Sequence, residues 1–456
     1  MMAALMQGSS LAATPWAPFD PAVDGAWNER RVRHLLRRAA FGGSDELVAE
    51  LVAAGPAAAV DRLITGADDA ADRRAASEQL ARTVLANNAP KRLSAWWTYE
   101  LITTPHPLRE RMTLFWHGHF ATGGDKVTDA EALYRQNRLF RDEALGDFRR
   151  LTHAVAQDPA MLIYLDSVTN RKAHPNENFA RELMELFVLG EGNYTEADVQ
   201  QLARCFTGWE VKQGRFRFNR YQHDGGEKSI MGKTDAFPDA EAVDWVIDQP
   251  SAPFFIVGKL YRLLVADEPQ PSRELLAPLA QQLVDAEWRI EPVVRTMLAS
   301  KQLLGDSAIG RKVRSPVDLA VGLLRSLDGI TSSTALADDL LGMGMGLFFP
   351  PNVKGWDGGR TWISSATLLA RANSLGRLID HESTRFNSVS PSEYLSQWTD
   401  DPVRLVTELE QRLLAVTLPA ATREKLIALG RGIDQPERRG RVVLQAMMSG
   451  PLAQLA

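Results

Sequence analysis

The run FWHGHF, Phe115 to Phe120, sets two of the chain's eight histidines two residues apart among aromatic side chains. Neutral imidazoles are good ligands for divalent metals, so the pair His117 and His119 is a candidate chelate. Its geometry depends on the backbone. If the chain is extended from Gly118, residues two apart point the same way and one ion can take both rings. If the preceding helix runs through, each residue turns it by about 100°, His117 points about 200° away from His119, and one ion cannot hold both. In that case His119 shares a face with Leu108, Met112 and Phe115, as a hydrogen-bonded core histidine would.

Three further groups could act with them. In NENFARELMELFVLG, Asn178, Glu182 and Glu185 fall on one helical stripe, with Arg181 beside it and apolar residues around most of the remaining circumference. That stripe is either a narrow solvent-facing strip or the wall of a polar cavity; carboxylates in a cavity need a cation, a metal or a shared proton. The turn HDGGEK offers His223 and Asp224 as adjacent ligand types, with Lys228 beyond. Asp in such a turn equally serves to cap backbone N–H groups. Finally, NVKGWDGGRTWISS carries Trp356 and Trp362 on a glycine-rich segment, suited to stacking on a sugar or another flat ligand, or to filling a gap between helices.

The elements that must position these residues read as helices. Val32, Leu35 and Leu36 repeat at helical spacing before Gly42 and Gly43, Ser44 caps the next segment, and Pro56 opens another. Thr195 with Asp198, and Ser315 with Pro316 and Asp318, are helix-start signatures. Apolar helical patterns continue from residue 240 to the end. Around 210–235 the pattern breaks: Phe216 and Phe218 alternate with Arg215 and Arg217 among glycines, which predicts a short β-hairpin and a long loop. The expected fold is all-α, one large multi-helix domain over 28–385 carrying the site. A disordered or extended lead-in over 1–27 precedes it, and a helical segment over 386–456 packs on it or continues it.

Composition narrows the function classes. The 456 residues are 45% hydrophobic and 24% charged, ordinary for a globular protein with a large core. A net charge of −5 does not favour nucleic acid as a partner. No apolar run approaches the roughly 18 residues of a spanning helix. Cys205 is the single cysteine, so neither an intrachain disulfide nor a cysteine-rich zinc site is available. The first twenty residues lack the basic region of a secretory signal, which makes the cytoplasm the expected compartment.

Taken in order, RHLLRRAAFGG, LFWHGHFAT, NENFARELMELFVLGEGNYTEADV, ARCFTGW, HDGGEK, FIVGKLYRLLV, RSPVDLAVGLLR and FFPPNVKGWDGGRTWISSATLLARAN resemble the bacterial family known as domain of unknown function 1800. The likeness spans roughly residues 30–380, and the stretch from Asn176 to Val199 is its most specific part. The resemblance implies no reaction and no catalytic residue at any position. It implies an envelope location for many members, and an association with a family similar to sulfatases and alkaline phosphatases, hence polysaccharide or phosphate/sulfate ester metabolism. Members often have Asn between the two histidines, where this chain has Gly118.

Two functions are therefore expected. In the first, a divalent metal held by His117, His119, His223 and Asp224 activates water in a pocket. Glu182 or Glu185 is the general base, Arg181 or Lys228 steadies an anionic oxygen, and Asn178, Trp356 and Trp362 bind the substrate, a carbohydrate or an anionic ester. Paired carboxylates on a glycosidic bond are the metal-free variant, less suited because i, i+3 side chains sit too close to straddle a sugar. In the second, the His/Glu cluster is structural and the tryptophan loop docks a glycan or a protein partner, a sulfatase- or phosphatase-like one by the family association.

Overall fold

A computed structural model describes residues 15–238 and 240–456. Among them run twenty-two α-helices, with strands confined to three two-stranded antiparallel ribbons. The expected start signals close as real caps. Thr195 and Asp198 form a reciprocal capping box, as do Ser315 and Asp318 around Pro316 at the first helical position. The helix Asp45–Thr65 is broken at Gly55, whose φ of 81° only glycine adopts readily, directly before Pro56. No helix among the described residues is long and apolar enough to cross a membrane.

The expected hairpin is present, and a second follows it: Trp209–Lys212 pairs with Arg215–Phe218, and Lys228–Ile230 with Lys233–Asp235. Of the lead-in, residues 1–14 lie outside the described residues. Residues 15–27 contain no helix, yet they are not loose. Trp16 and Phe19 are buried, Trp16 donates from Nε1 to Leu275 O at 2.7 Å, and Pro18 bridges to Ser300.

Two apolar clusters make up the core, and the helix Pro107–His119 lies between them. Leu108, Met112 and Trp116 pack into the first, with Phe148, Phe187 and Leu260; Leu114 packs into the second, with Trp97, Leu324 and Phe348. Buried ion pairs fix this helix further. Arg141 grips Glu110 with both ends of its guanidinium, and Trp97 Nε1 donates to the same carboxylate at 3.0 Å. The C-terminal helices Pro391–Thr399, Pro402–Leu413, Ala420–Arg431 and Pro436–Ser449 share the second core, and the last residues run beside 312–314: Arg314 N donates to Gln454 O at 2.8 Å, and Ala456 N to Lys312 O at 2.8 Å.

Candidate functional site

The helix runs through FWHGHF and stops only at Phe120, so the two histidines diverge. His117 is 1% exposed and enclosed by aromatic rings, with centroids of Trp97 at 5.2 Å, Phe348 at 5.4 Å, Trp356 at 5.6 Å and Phe140 at 6.3 Å. Its Nε2 has no hydrogen-bond partner among the described residues, and burial pushes its pKa down to about 3. It is a neutral ring in an aromatic cage. His119 has both nitrogens engaged: Nε2 lies 2.9 Å from Phe187 O and Nδ1 lies 3.0 Å from Lys259 Nζ. A carbonyl only accepts, so Nε2 carries the proton and Nδ1 presents its lone pair to the lysine. The metal chelate expected of this pair is therefore not formed. Among the described residues, no group of three or more His, Cys, Asp or Glu side chains is arranged to hold a metal ion.

The carbonyls that hold His119 and Lys259 come from an irregular helix. Asn178–Glu182 is α-helical, but Leu183–Val188 is a π-helix, in which hydrogen bonds span one residue more. Within it, Phe187 O faces His119, and Leu186 O accepts from Lys259 Nζ at 2.8 Å. The single acidic stripe expected over Asn178, Glu182 and Glu185 assumes a regular helix, and the π segment changes its register.

The other expected site residues occupy different surroundings. Asn178 is exposed at the helix start. Arg181 is in surface ion pairs with Glu196 at 2.7 Å and Glu177 at 3.0 Å. Glu185 accepts from Tyr194 Oη at 2.7 Å. Burial and the nearby Glu185 raise the Glu182 pKa, against Arg181 and Lys354. His223 Nδ1 lies 3.0 Å from Thr207 O, and Asp224 pairs with Arg204 at 2.7 Å while accepting from Gly226 N, as a turn-capping Asp does. Lys228 is 1% exposed and donates to Asp224 O at 2.6 Å and Ala236 O at 3.1 Å, so it ties the loop together rather than reaching a ligand. Asp224 and Lys228 thus form the inner scaffold of the hairpin loop.

The tryptophan loop does meet the histidine helix. At Gly355, φ is 77°, and a Cβ there would stand 2.1 Å from Gly118 O; a Cβ on Gly118 would stand 3.6 Å from the Trp356 ring. Only glycine at 355 lets the two backbones approach this closely. Beneath the loop lies a cavity of about 350 Å³. Phe115, His119 and Lys259 form one side, and Trp356, Gly358 and Trp362 another. Of the residues expected at the site, then, His119, Trp356 and Trp362 converge here. Glu182 does not line the cavity; Lys354, which does, helps hold its pKa down.

The cavity is cationic. Arg111, Lys259, Arg262, Lys312 and Lys354 line it, against Asp267, Asp318 and Asp357. Two of those carboxylates are already taken: Asp318 by Arg111 at 2.6 Å, and Asp267 by Lys312 at 2.6 Å. Burial works against the Asp318 carboxylate, but Arg111 and the Ser315 hydroxyl outweigh it and keep it ionised. Arg111 is 4% exposed, stacks over Phe41 at 4.1 Å, and has an Nε without a partner among the described residues. Behind this wall Arg37, Arg38, Arg314 and Arg371 are buried too, with no further carboxylate among the influences on their ionisation than Asp267 and Asp318. Backbone carbonyls offset part of that charge: Arg38 donates to Ala308 O at 2.9 Å and Arg314 to Leu413 O at 2.8 Å. Arg38 nevertheless keeps Nε and Nη1 without partners among the described residues, and burial pushes its pKa down to about 9.

Sequence reasoning missed Lys259, Arg111, Arg262, Lys312 and Lys354. A signal existed for Lys259, the first charged residue in the apolar helix Ala252–Leu264. None existed for Arg111 and Asp318, whose pairing joins distant parts of the chain.

A family model described as a protein of unknown function (DUF1800) matches residues 34–455. No curated protein and no solved structure matches the chain.

Proposed function

The chain belongs to the DUF1800 family, and for this member we propose that the cavity under the tryptophan loop binds a small anionic ligand, a phosphate or sulfate ester or an acidic sugar. One observation carries the reading. Among the described residues, the cavity wall and the layer behind it hold Arg37, Arg38, Arg111, Lys312, Arg314 and Arg371 against Asp267 and Asp318, and the third carboxylate of the wall, Asp357, is exposed. Buried charge without a counterion is costly, so a site of this composition gains from an incoming anion. The Lys259, Arg262 and Lys354 side chains are the donors on the ligand's side, and Trp356 and Trp362 offer apolar faces to the rest of the molecule. This ligand class agrees with the ester metabolism that the family association implies. The metal-dependent version of hydrolysis has no support from the ligand geometry and is not carried forward.

Thermal unfolding with phosphate, sulfate and glucose 6-phosphate against chloride at matched ionic strength tests the reading. A ligand at one hundred times its Kd stabilises by about 2.7 kcal/mol. At roughly 2.1 cal/mol/K of unfolding entropy per residue, 456 residues convert that into a Tm rise of about 3 °C. The rise should saturate with concentration and shrink in the double variant Lys354→Ala/Arg262→Gln, both exposed positions whose loss does not touch the core. A linear, unsaturable rise that is equal in wild type and variant is the general salt effect and sinks the proposal.

A further inference from the structure

The cavity contains an amine with an unusual set of neighbours. Lys259 Nζ donates to His119 Nδ1 at 3.0 Å and to Leu186 O at 2.8 Å. Among the described residues it has no carboxylate partner and no third hydrogen bond. Two of its three directions are therefore fixed by the histidine and the π-helix, and the side chain lines the cavity. A neutral amine has two hydrogens, and these two acceptors use both, leaving its lone pair as the feature not held by the protein.

We propose that Lys259 is the reactive amine of this cavity, a nucleophile for the carbonyl carbon of an anionic aldehyde or ketone. The proposal rests on the anion-binding reading above and names its reactive group. The step balances without a co-reactant. The Nζ lone pair forms a bond to the carbonyl carbon, and the carbonyl π pair moves to oxygen. Two protons, both originally on the amine, leave with that oxygen as water, and a C=N bond remains. Lysines become nucleophilic at neutral pH when desolvated or set beside another cation. Both conditions hold: burial, and Arg262 on the same helix, bring the Lys259 pKa down to about 7. The face of Phe255, 4.7 Å away, works in the other direction by favouring the ammonium. Of the charged groups across the cavity, Asp318 and Asp267 are held by Arg111 and Lys312, Lys354 adds positive charge, and Asp357 is an exposed carboxylate whose backbone carbonyl accepts from Arg262 at 3.3 Å. The π-helix fits the same role, since such segments recur where a protein needs backbone groups turned toward a site. His119 is the positioning residue: its proton on Nε2 is pinned by Phe187 O, which keeps Nδ1 an acceptor for the amine.

The test is labelling of the full-length protein with pyridoxal 5′-phosphate, an anionic aldehyde, followed by borohydride reduction and peptide mapping. Pyridoxal, without the phosphate, is the comparison probe. At pH 7, Lys259 should be labelled at least about tenfold faster than any of the other ten lysines, with inorganic phosphate competing. The rate should rise with pH around a midpoint near 7, and Arg262→Gln should move that midpoint upward by removing the neighbouring cation. Equal labelling of Lys259 by both aldehydes supports the reactive amine and overturns the anion reading beneath it. Labelling that follows exposure and spares Lys259, while phosphate still raises the Tm, overturns the amine and leaves the anion site standing. Sparing of Lys259 with no phosphate effect overturns both.

Discussion

Replacing Gly355 by alanine should dislodge the tryptophan loop, and the size of the effect can be worked from two contributions. The first is conformational: a non-glycine residue at φ of 77° costs about 1–2 kcal/mol. The second is steric. The new methyl would meet Gly118 O at 2.1 Å, where ordinary contact begins at 3.4 Å, so the loop must withdraw by over an ångström from a helix that two cores hold in place. Overpacking of this kind costs about 1–3 kcal/mol. Together these give roughly 2–5 kcal/mol, and with unfolding entropy near 1 kcal/mol/K for a chain of this length, a Tm lower by about 2–5 °C. Gly232→Ala is the control. Gly232 has φ of 82° with open space around it, so only the conformational part applies there, about 1–2 °C. Scanning calorimetry measures both variants, and stabilisation by phosphate is read in each. Gly355→Ala should lose most of that stabilisation and Gly232→Ala should keep it. Equal Tm losses, with phosphate acting undiminished on Gly355→Ala, would refute the packing of the loop on Gly118 as the feature that closes the cavity.

The two histidines should respond unequally to removal of their nitrogens. His117→Phe exchanges one ring for another in an aromatic cage and discards an unpartnered Nε2, so urea denaturation should show a loss below about 1 kcal/mol; His119→Phe strands Phe187 O and Lys259 and should cost about 2–4 kcal/mol. A larger loss at His117 than at His119 would reverse the assignment. Asp158 carries a pH signature. Burial raises its pKa to about 7 although Met161 N and Gln136 Nε2 donate to it at 2.9 and 2.7 Å. A carboxyl raised above its unfolded value of about 3.9 stabilises fully below that value, and the contribution disappears as pH rises toward 7. Wild type minus Asp158→Asn stability should therefore fall between pH 4 and 7 and level off above; a difference that is flat, or that rises across the window, contradicts the shift.

Much of the helical layout is legible in the sequence because its signals are local. Ser315, Pro316 and Asp318 act within one turn, as do Thr195 and Asp198, and Gly55–Pro56 marks a break in the chain. The divergence of His117 and His119 follows at once from continuing the helix, one of two geometries the spacing leaves open. The π-helix at Leu183–Val188 is not legible, because apolar residues surround that segment so broadly that no narrow stripe marks its register. The cationic cavity is not legible for a different reason. Its ion pairs join Arg111 to Asp318 and Lys312 to Asp267, contacts that only the folded chain creates. Ligand-type residues drew attention to His223 and Asp224, whose hydrogen bonds turn out to be spent on their own loop. The glycine-rich tryptophan segment is correctly read as irregular, but not that its Gly355 is fitted to one carbonyl of a helix more than two hundred positions earlier.

The π segment sets the interests of the fold against those of the cavity. Deleting one residue between 183 and 185 would restore regular winding, and with it the better hydrogen-bond geometry of an ordinary helix. The same deletion would swing the following carbonyls by about 100°. Leu186 O and Phe187 O would then turn away from Lys259 and His119, leaving the amine and the imidazole Nε2–H without their backbone acceptors. A lineage selected only for rigidity has this one-step route open to it, and taking it would erase the feature that gives the lysine its orientation.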